Sequence, residues 1–241
     1  MLAAGCGDTL SLDPVAKAAD ASAKQVSEHL TLSATVTSGV ETATMSGSGD
    51  FRNNPNVGAL TISVTDAGKT AHMREILDGS TIYMTSDLFA GQLPDGKTWL
   101  KLDLEKAMKP LGLDFAALSS QSPTDALTRL RAAGSVTKVG PATVDGVATT
   151  HYSVILDLDR VAKLTKGLQN VSYGPVEVWV DEQGLVRRMH LTSVQGDSAG
   201  TPQAVLEMTM TLSNYGEPVT VTPPADSSTV DLTDLATQFL K

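Results

Sequence analysis

Ala204-Val205-Leu206-Glu207-Met208-Thr209-Met210-Thr211-Leu212-Ser213 alternates with a period of two. Ala204, Leu206, Met208, Met210 and Leu212 fall on one side, and Glu207, Thr209, Thr211 and Ser213 on the other. Successive side chains of a strand point to opposite faces, so this stretch reads as a half-buried antiparallel strand with one dry and one wet face.

The same pattern recurs near the amino terminus. Leu32, Ala34 and Val36 alternate with Thr31, Ser33, Thr35 and Thr37. Ala43, Met45, Gly47 and Gly49 alternate with Thr42, Thr44, Ser46 and Ser48, and Leu60, Ile62 and Val64 with Thr61, Ser63 and Thr65. Asn53-Asn54-Pro55-Asn56 marks a turn, and Asp78-Gly79 a hairpin between strands at about 71–77 and 80–86. Trp99–Asp103 reads as a short strand. Beyond 135, strands flank the turn at Asp145-Gly146. Ala148, Thr150, Tyr152, Val154 and Leu156 share a face, and Val176–Asp181 runs through Gly184 into a return strand from Leu185 to Val194.

Helical spacing appears in three places. Asp13-Pro14 supplies an N-cap and a first-turn proline, followed by Val15, Ala18, Ala19, Val26 and Leu30 at helical intervals up to about His29. Residues 104–133, broken by Pro110 and Pro123, read as two or three short helices, and 158–168 as another. The fold class is therefore α+β: one large antiparallel sheet with helices on one side. A sheet this long must curl, and its concave apolar face needs helices or a ligand to fill it. Residues 1–12 read as a tether and 13–241 as a single domain.

Composition narrows the function. With 18 basic against 27 acidic residues the net charge is −9, and no basic stripe is present to neutralise phosphates, so nucleic acid is excluded as a partner. Aromatics are only 4%, so the core is aliphatic with eight Met, side chains that adapt to flexible apolar partners. A core merely poor in aromatics accounts for this equally well. One cysteine allows no internal disulfide, and no apolar run is long enough to span a bilayer.

Catalytic motifs fail on inspection. Ser46-Gly47-Ser48-Gly49 lacks the first glycine of a nucleophile elbow and sits in an alternating strand, where glycine marks curvature or a bulge. His29, His72, His151 and His190 are far apart with no metal-ligand spacing. Asp157 and Asp159 read as helix caps, and Trp99 and Trp179 as packing or rim residues. No cofactor is expected, and the chain reads as a non-enzyme, probed best by looking for a polar cluster inside the cleft.

The chain opens Met1-Leu2-Ala3-Ala4-Gly5-Cys6, which resembles a lipobox: small residues before a cysteine whose thiol takes a diacylglycerol. Ala3 stands where Leu is usual, and the charged and apolar parts of a signal peptide are missing, so the start reads as trimmed or misassigned. The competing reading is a cytosolic protein with an ordinary terminal cysteine. Lipidation of Cys6 would anchor the chain to the outer face of the cell membrane.

Asp145-Gly146-Val147-Ala148-Thr149-Thr150-His151-Tyr152, with Val154-Ile155-Leu156-Asp157, resembles the LppX/LprG group of actinobacterial lipoproteins. So do Val176–Asp181 and Gly184-Leu185-Val186-Arg187-Arg188-Met189. The resemblance implies a LolA/LolB-like half-barrel with helices packed in its mouth, and binding of lipids or lipidated glycans for carriage through the envelope. On that reading Leu60, Ile62, Val64, Met84, Tyr152, Val154, Val178, Leu206, Met208 and Met210 line the cavity. Leu111, Leu113, Phe115 and Leu118 form a lid. For each, plain core packing is the competing reading. The expected partners are a lipid or glycolipid ligand and, through Cys6, the membrane, with the protein a monomer. The alternative function is a structural or regulatory lipoprotein that binds a protein partner.

Overall fold

The computed structural model describes residues 14–53, 55–89, 91–94, 96–108, 134–156, 171–196 and 201–234. They comprise α1 (Pro14–Ala23), β1 (Ser27–Ser38), β2 (Glu41–Asn53), β3 (Asn56–Asp66), β4 (Lys69–Asp78), β5 (Thr81–Ser86), β6 (Trp99–Asp103) and α2 (Leu104–Met108). The second half adds β7 (Gly134–Val144), β8 (Val147–Leu156), β9 (Val171–Tyr173), β10 (Val176–Asp181), β11 (Val186–Gly196), β12 (Pro202–Ser213) and β13 (Thr229–Asp231).

All the strands join one unclosed sheet in the order β13-β6-β5-β4-β3-β2-β1-β12-β11-β10-β8-β7, with β9 beside β11. Strands β1 to β6 form an uninterrupted antiparallel meander. The second wing attaches through β12, which pairs with β1 from His29↔Ser213 to Thr37↔Val205. The expectation of an antiparallel sheet holds except at β13, which lies parallel to β6. Turn chemistry explains the tight hairpins. Asp145 and Gly146 between β7 and β8 both have positive φ, 50° and 83°, as a two-residue hairpin turn of that twist requires. The edge strand β7 carries Pro141 and a register shift between Lys138 and Gly140, devices that discourage pairing with another chain.

The first helix is shorter than its spacing predicts. It stops at Ala23, and Ser27 already pairs with Arg52 on β2. A helix of this length is marginal alone, so residues that satisfy both periods join the sheet, where they gain pairing partners. Val15, Ala18 and Ala19 of α1 pack into a cluster with Leu30, Val154, Val176, Val178, Val180, Val186, Met189 and Leu212. The buried Ser22 hydroxyl ties the helix down by accepting the Val186 N–H at 2.9 Å. Of the helices expected on the concave face, α1 packs against this sheet cluster, and α2 lies beside β5 and β6. Those expected at 109–133 and 158–168 fall outside the described residues.

Glycine shapes the bend. An ideal Cβ on Gly49 would stand 2.1 Å from the Ala59 carbonyl oxygen and 2.8 Å from the Leu60 Cα. One on Gly47 would meet the Thr61 carbonyl oxygen at 3.0 Å, and one on Gly58 would run into the Phe51 ring. Side chains at 47, 49 and 58 would point to the apolar face, so β3 rises toward that side of β2 and the sheet creases there. The sequence reading of Gly47 and Gly49 as curvature or a bulge agrees with this geometry.

Candidate functional site

Register places the apolar side chains in rows that cross the sheet. Leu32 lies between Gly47 and Met210; the row continues through Ile62 and Met73 one way and through Met189, Val178 and Tyr152 the other. A second row joins Ala71, Val64, Met45, Ala34, Met208 and Leu191. Leu206 faces Val36, Val154 faces Val176, and Leu60 and Met84 flank Glu75 from β3 and β5. The structure thus brings all ten sheet residues of the expected lining onto one face. Leu111, Leu113, Phe115, Leu118 and Cys6 lie outside the described residues.

Burial along this face is uneven. Val154, Val178, Met189 and Leu212 are buried in the cluster that packs on α1. Toward the β1–β2 and β3–β4 turns the same face opens: Met45, Met208 and Leu206 are half-buried, and Val36 and Val64 are 41% and 37% exposed. An open groove of about 690 Å³ begins here, with Val64, Ala71, Met73 and Leu88 among its apolar walls and Asp66, Lys69 and Asp87 at its rim. Asp87 is held in place because its carboxylate accepts the His72 N–H at 2.9 Å.

Sequence reading missed Glu75. It occupies the apolar phase of β4, where Met73 and Leu77 share its face while His72, Arg74 and Ile76 share the other. The signal was available: Met73-Arg74-Glu75-Ile76-Leu77 alternates only if one carboxyl stands among apolar neighbours. Burial pushes this carboxyl above the usual glutamate range. A raised pKa means the fold favours the protonated form, so this group's contribution to stability is lost as pH rises through and above the ordinary range near ~4.3. Glu75→Gln is therefore expected to melt no higher than the parent at pH 3.5 and measurably higher at pH 7. A difference independent of pH in calorimetry would contradict this.

The opposite face, polar apart from such residues as the buried Ile76 and Tyr83, holds all four histidines, each with its own partner. His29 Nδ1 meets Asp50 at 2.7 Å, His72 Nδ1 meets Ser63 at 2.9 Å and His190 Nδ1 meets Thr209 at 3.0 Å. His151 stacks on Trp179 with ring centroids 4.3 Å apart, and its Nε2 donates to Glu177 at 2.5 Å. Ser153 also donates to Glu177, at 2.8 Å. A nucleophilic serine needs the imidazole as its base. Here the carboxylate stands between the two groups and accepts from both, an arrangement that fixes the stack and leaves Ser153 unactivated. Among the described residues no three His, Cys, Asp or Glu side chains gather to hold a metal ion. None of the described helices is long and apolar enough to cross a membrane.

A model described as LppX_LprAFG lipoprotein matches residues 11–221. The chain belongs to this family. LprF from Mycobacterium bovis superposes with a TM-score of 0.54 over 88% of this chain and 95% of its own, at 16% identity. The lipoprotein LppX from Mycobacterium tuberculosis gives 0.53 over 87% and 96%, at 20% identity. At these identities the likeness shows the fold alone. An uncharacterised 31.2 kDa protein of Streptomyces griseus is 27% identical over 162 residues, 59% of this chain. The match spans about half of that relative, 51% of its length.

Proposed function

We propose that this LppX_LprAFG lipoprotein binds a lipid or lipidated glycan on the apolar face of its creased sheet and carries it through the envelope, without catalysing a reaction. The observation that carries this reading is the continuation of the apolar rows beyond the footprint of α1. The face stays aliphatic and methionine-rich from Met210 to Leu206 and from Ile62 to Val64, where it opens into the groove. Burying apolar surface contributes about 25 cal/mol per Å², so an acyl chain laid over these rows is held without polar contacts. The liners are Leu60, Ile62, Val64, Met84, Tyr152, Leu206, Met208 and Met210, with Val154 and Val178 forming the packed base, and the 111–118 segment serves as the lid. Residues 13–241 act as one monomeric domain, and lipidated Cys6 anchors it at the outer face of the membrane.

Mass spectrometry of organic extracts tests the binding. Protein purified from its native host is expected to release lipid in near-stoichiometric amount. Lipid-free protein that also fails to take up a fluorescent fatty acid would overturn the carrier reading and favour a lipoprotein that binds a protein partner. Cys6→Ser is expected to move the protein from the membrane pellet to the soluble fraction. Retention in the pellet would overturn the anchor.

A further inference from the structure

We propose that Glu75 is the selector of the lipid face, hydrogen-bonding a free hydroxyl on a neutral lipid. The proposal rests on the lipid-binding reading and adds to it the class of ligand.

Two observations place Glu75 for this role. Register sets it between Leu60 on β3 and Met84 on β5, with Met73 and Leu77 on the same face of its own strand. None of these four side chains donates a hydrogen bond, the methionine sulfurs accept only weakly, and no described residue hydrogen-bonds the carboxyl. Second, the position follows directly on the groove: Met73 lines it, and Glu75 is the next residue on that face. A chain that lies in the groove over Met73 brings its polar end within reach of the carboxyl, one residue on along the same face.

The chemistry of the carboxyl sets the class of partner. A group half-removed from water needs a hydrogen bond in exchange for the one it loses. A hydroxyl supplies it in either protonation state, since the carboxylate accepts and the neutral acid both accepts and donates. A phosphate or carboxylate headgroup would set like charges together in an apolar setting, in a chain that already carries a net charge of −9. A lipid with no donor would leave the ionised carboxylate unpaired.

Competition titrations on the delipidated full chain test this, with 1,2-dioleoylglycerol and its 3-acetate as probes. The two differ in the one hydroxyl. The parent protein is expected to bind the free alcohol about tenfold more tightly, the scale of a hydrogen bond to a charged group. Glu75→Leu is expected to bind both equally, and Glu75→Gln, which keeps an acceptor oxygen, to retain most of the preference. Equal binding of the two lipids by the parent, or an undiminished preference in Glu75→Leu, overturns the selector while leaving lipid binding intact. Binding of neither lipid overturns the selector, and only if the same protein also takes up no fluorescent fatty acid and releases no lipid from its native host does the carrier reading fall with it.

Discussion

Asp181→Ala is expected to lower stability by about 3 kcal/mol or more, the cost of removing one member of a buried ion pair. The Asp181 side chain is only 2% exposed and that of Arg187 17%. One carboxylate oxygen accepts the Gln183 and Leu185 N–H groups at 2.9 and 2.8 Å, and the other accepts Arg187 Nε at 2.6 Å. Alanine orphans three donors at the turn that joins β10 to β11. The Arg187 guanidinium also lies 5.2 Å from the centre of the Tyr215 ring, whose hydroxyl donates to the Val186 carbonyl. Burial holds that hydroxyl protonated far into the alkaline range. The network therefore fixes Val186 and, through it, the seat of α1. For a chain of this size the loss corresponds to a fall in Tm of roughly 6–12 °C. Urea unfolding reads it directly. Asp181→Asn keeps the acceptor for the two backbone groups but turns an amide toward Arg187, so an intermediate loss is expected. A change below about 1 kcal/mol in the alanine variant would show that the turn holds itself without the carboxylate.

Much of this architecture is written locally. The alternation at 31–37, 42–49, 60–65 and 204–213 gives strands and their dry faces, because period two leaves only one way to bury Leu32, Ile62 or Met208. Asp145-Gly146 gives a hairpin because both residues tolerate positive φ. The boundary at Val26–Leu30 is ambiguous because those residues fit both a helical stripe and a strand, and pairing with distant Arg52 and Ser213 decides between them. Strand order is illegible for the same reason. Nothing near Leu32 names Met210 as its neighbour, so the junction of the two wings appears only in three dimensions. Thr229–Asp231 is too short to show a period, and its parallel pairing was not foreseen. At the site, the residues of the apolar face were legible as a set, since each follows from the phase of its own strand. Glu75 was not, because a carboxyl among liners registers as a break in pattern until both neighbouring strands fix its face.

The crease between β2 and β3 is where sequence, shape and ligand space meet, and Gly49→Ala is expected to damage all three. Gly49 is not required for backbone conformation, since its φ is not positive. It is required for space. A methyl group would stand 2.1 Å from the Ala59 carbonyl oxygen, 2.8 Å from the Leu60 Cα and 3.0 Å from the Ala59 carbonyl carbon. All three are backbone atoms of β3, so no rotamer change relieves the overlap. The strands must move apart, and the ladder from Thr44↔Thr65 to Asn53↔Asn56 must give way around Gly49↔Leu60. Overpacking of this kind costs about 3 kcal/mol. Gly174→Ala is the control: its Cβ would meet Thr192 at an ordinary 3.5 Å, and its φ is not positive either, so a loss below about 1 kcal/mol is expected. Moving β3 also carries Leu60 and Ile62 away from Leu30 and Leu32, which breaks the apolar rows at the crease. The alanine variant at 49 is therefore expected to lose lipid at temperatures well below its own melting point, whereas the variant at 174 retains it. Unchanged stability and unchanged lipid retention in Gly49→Ala would mean that the two strands are not pressed together there.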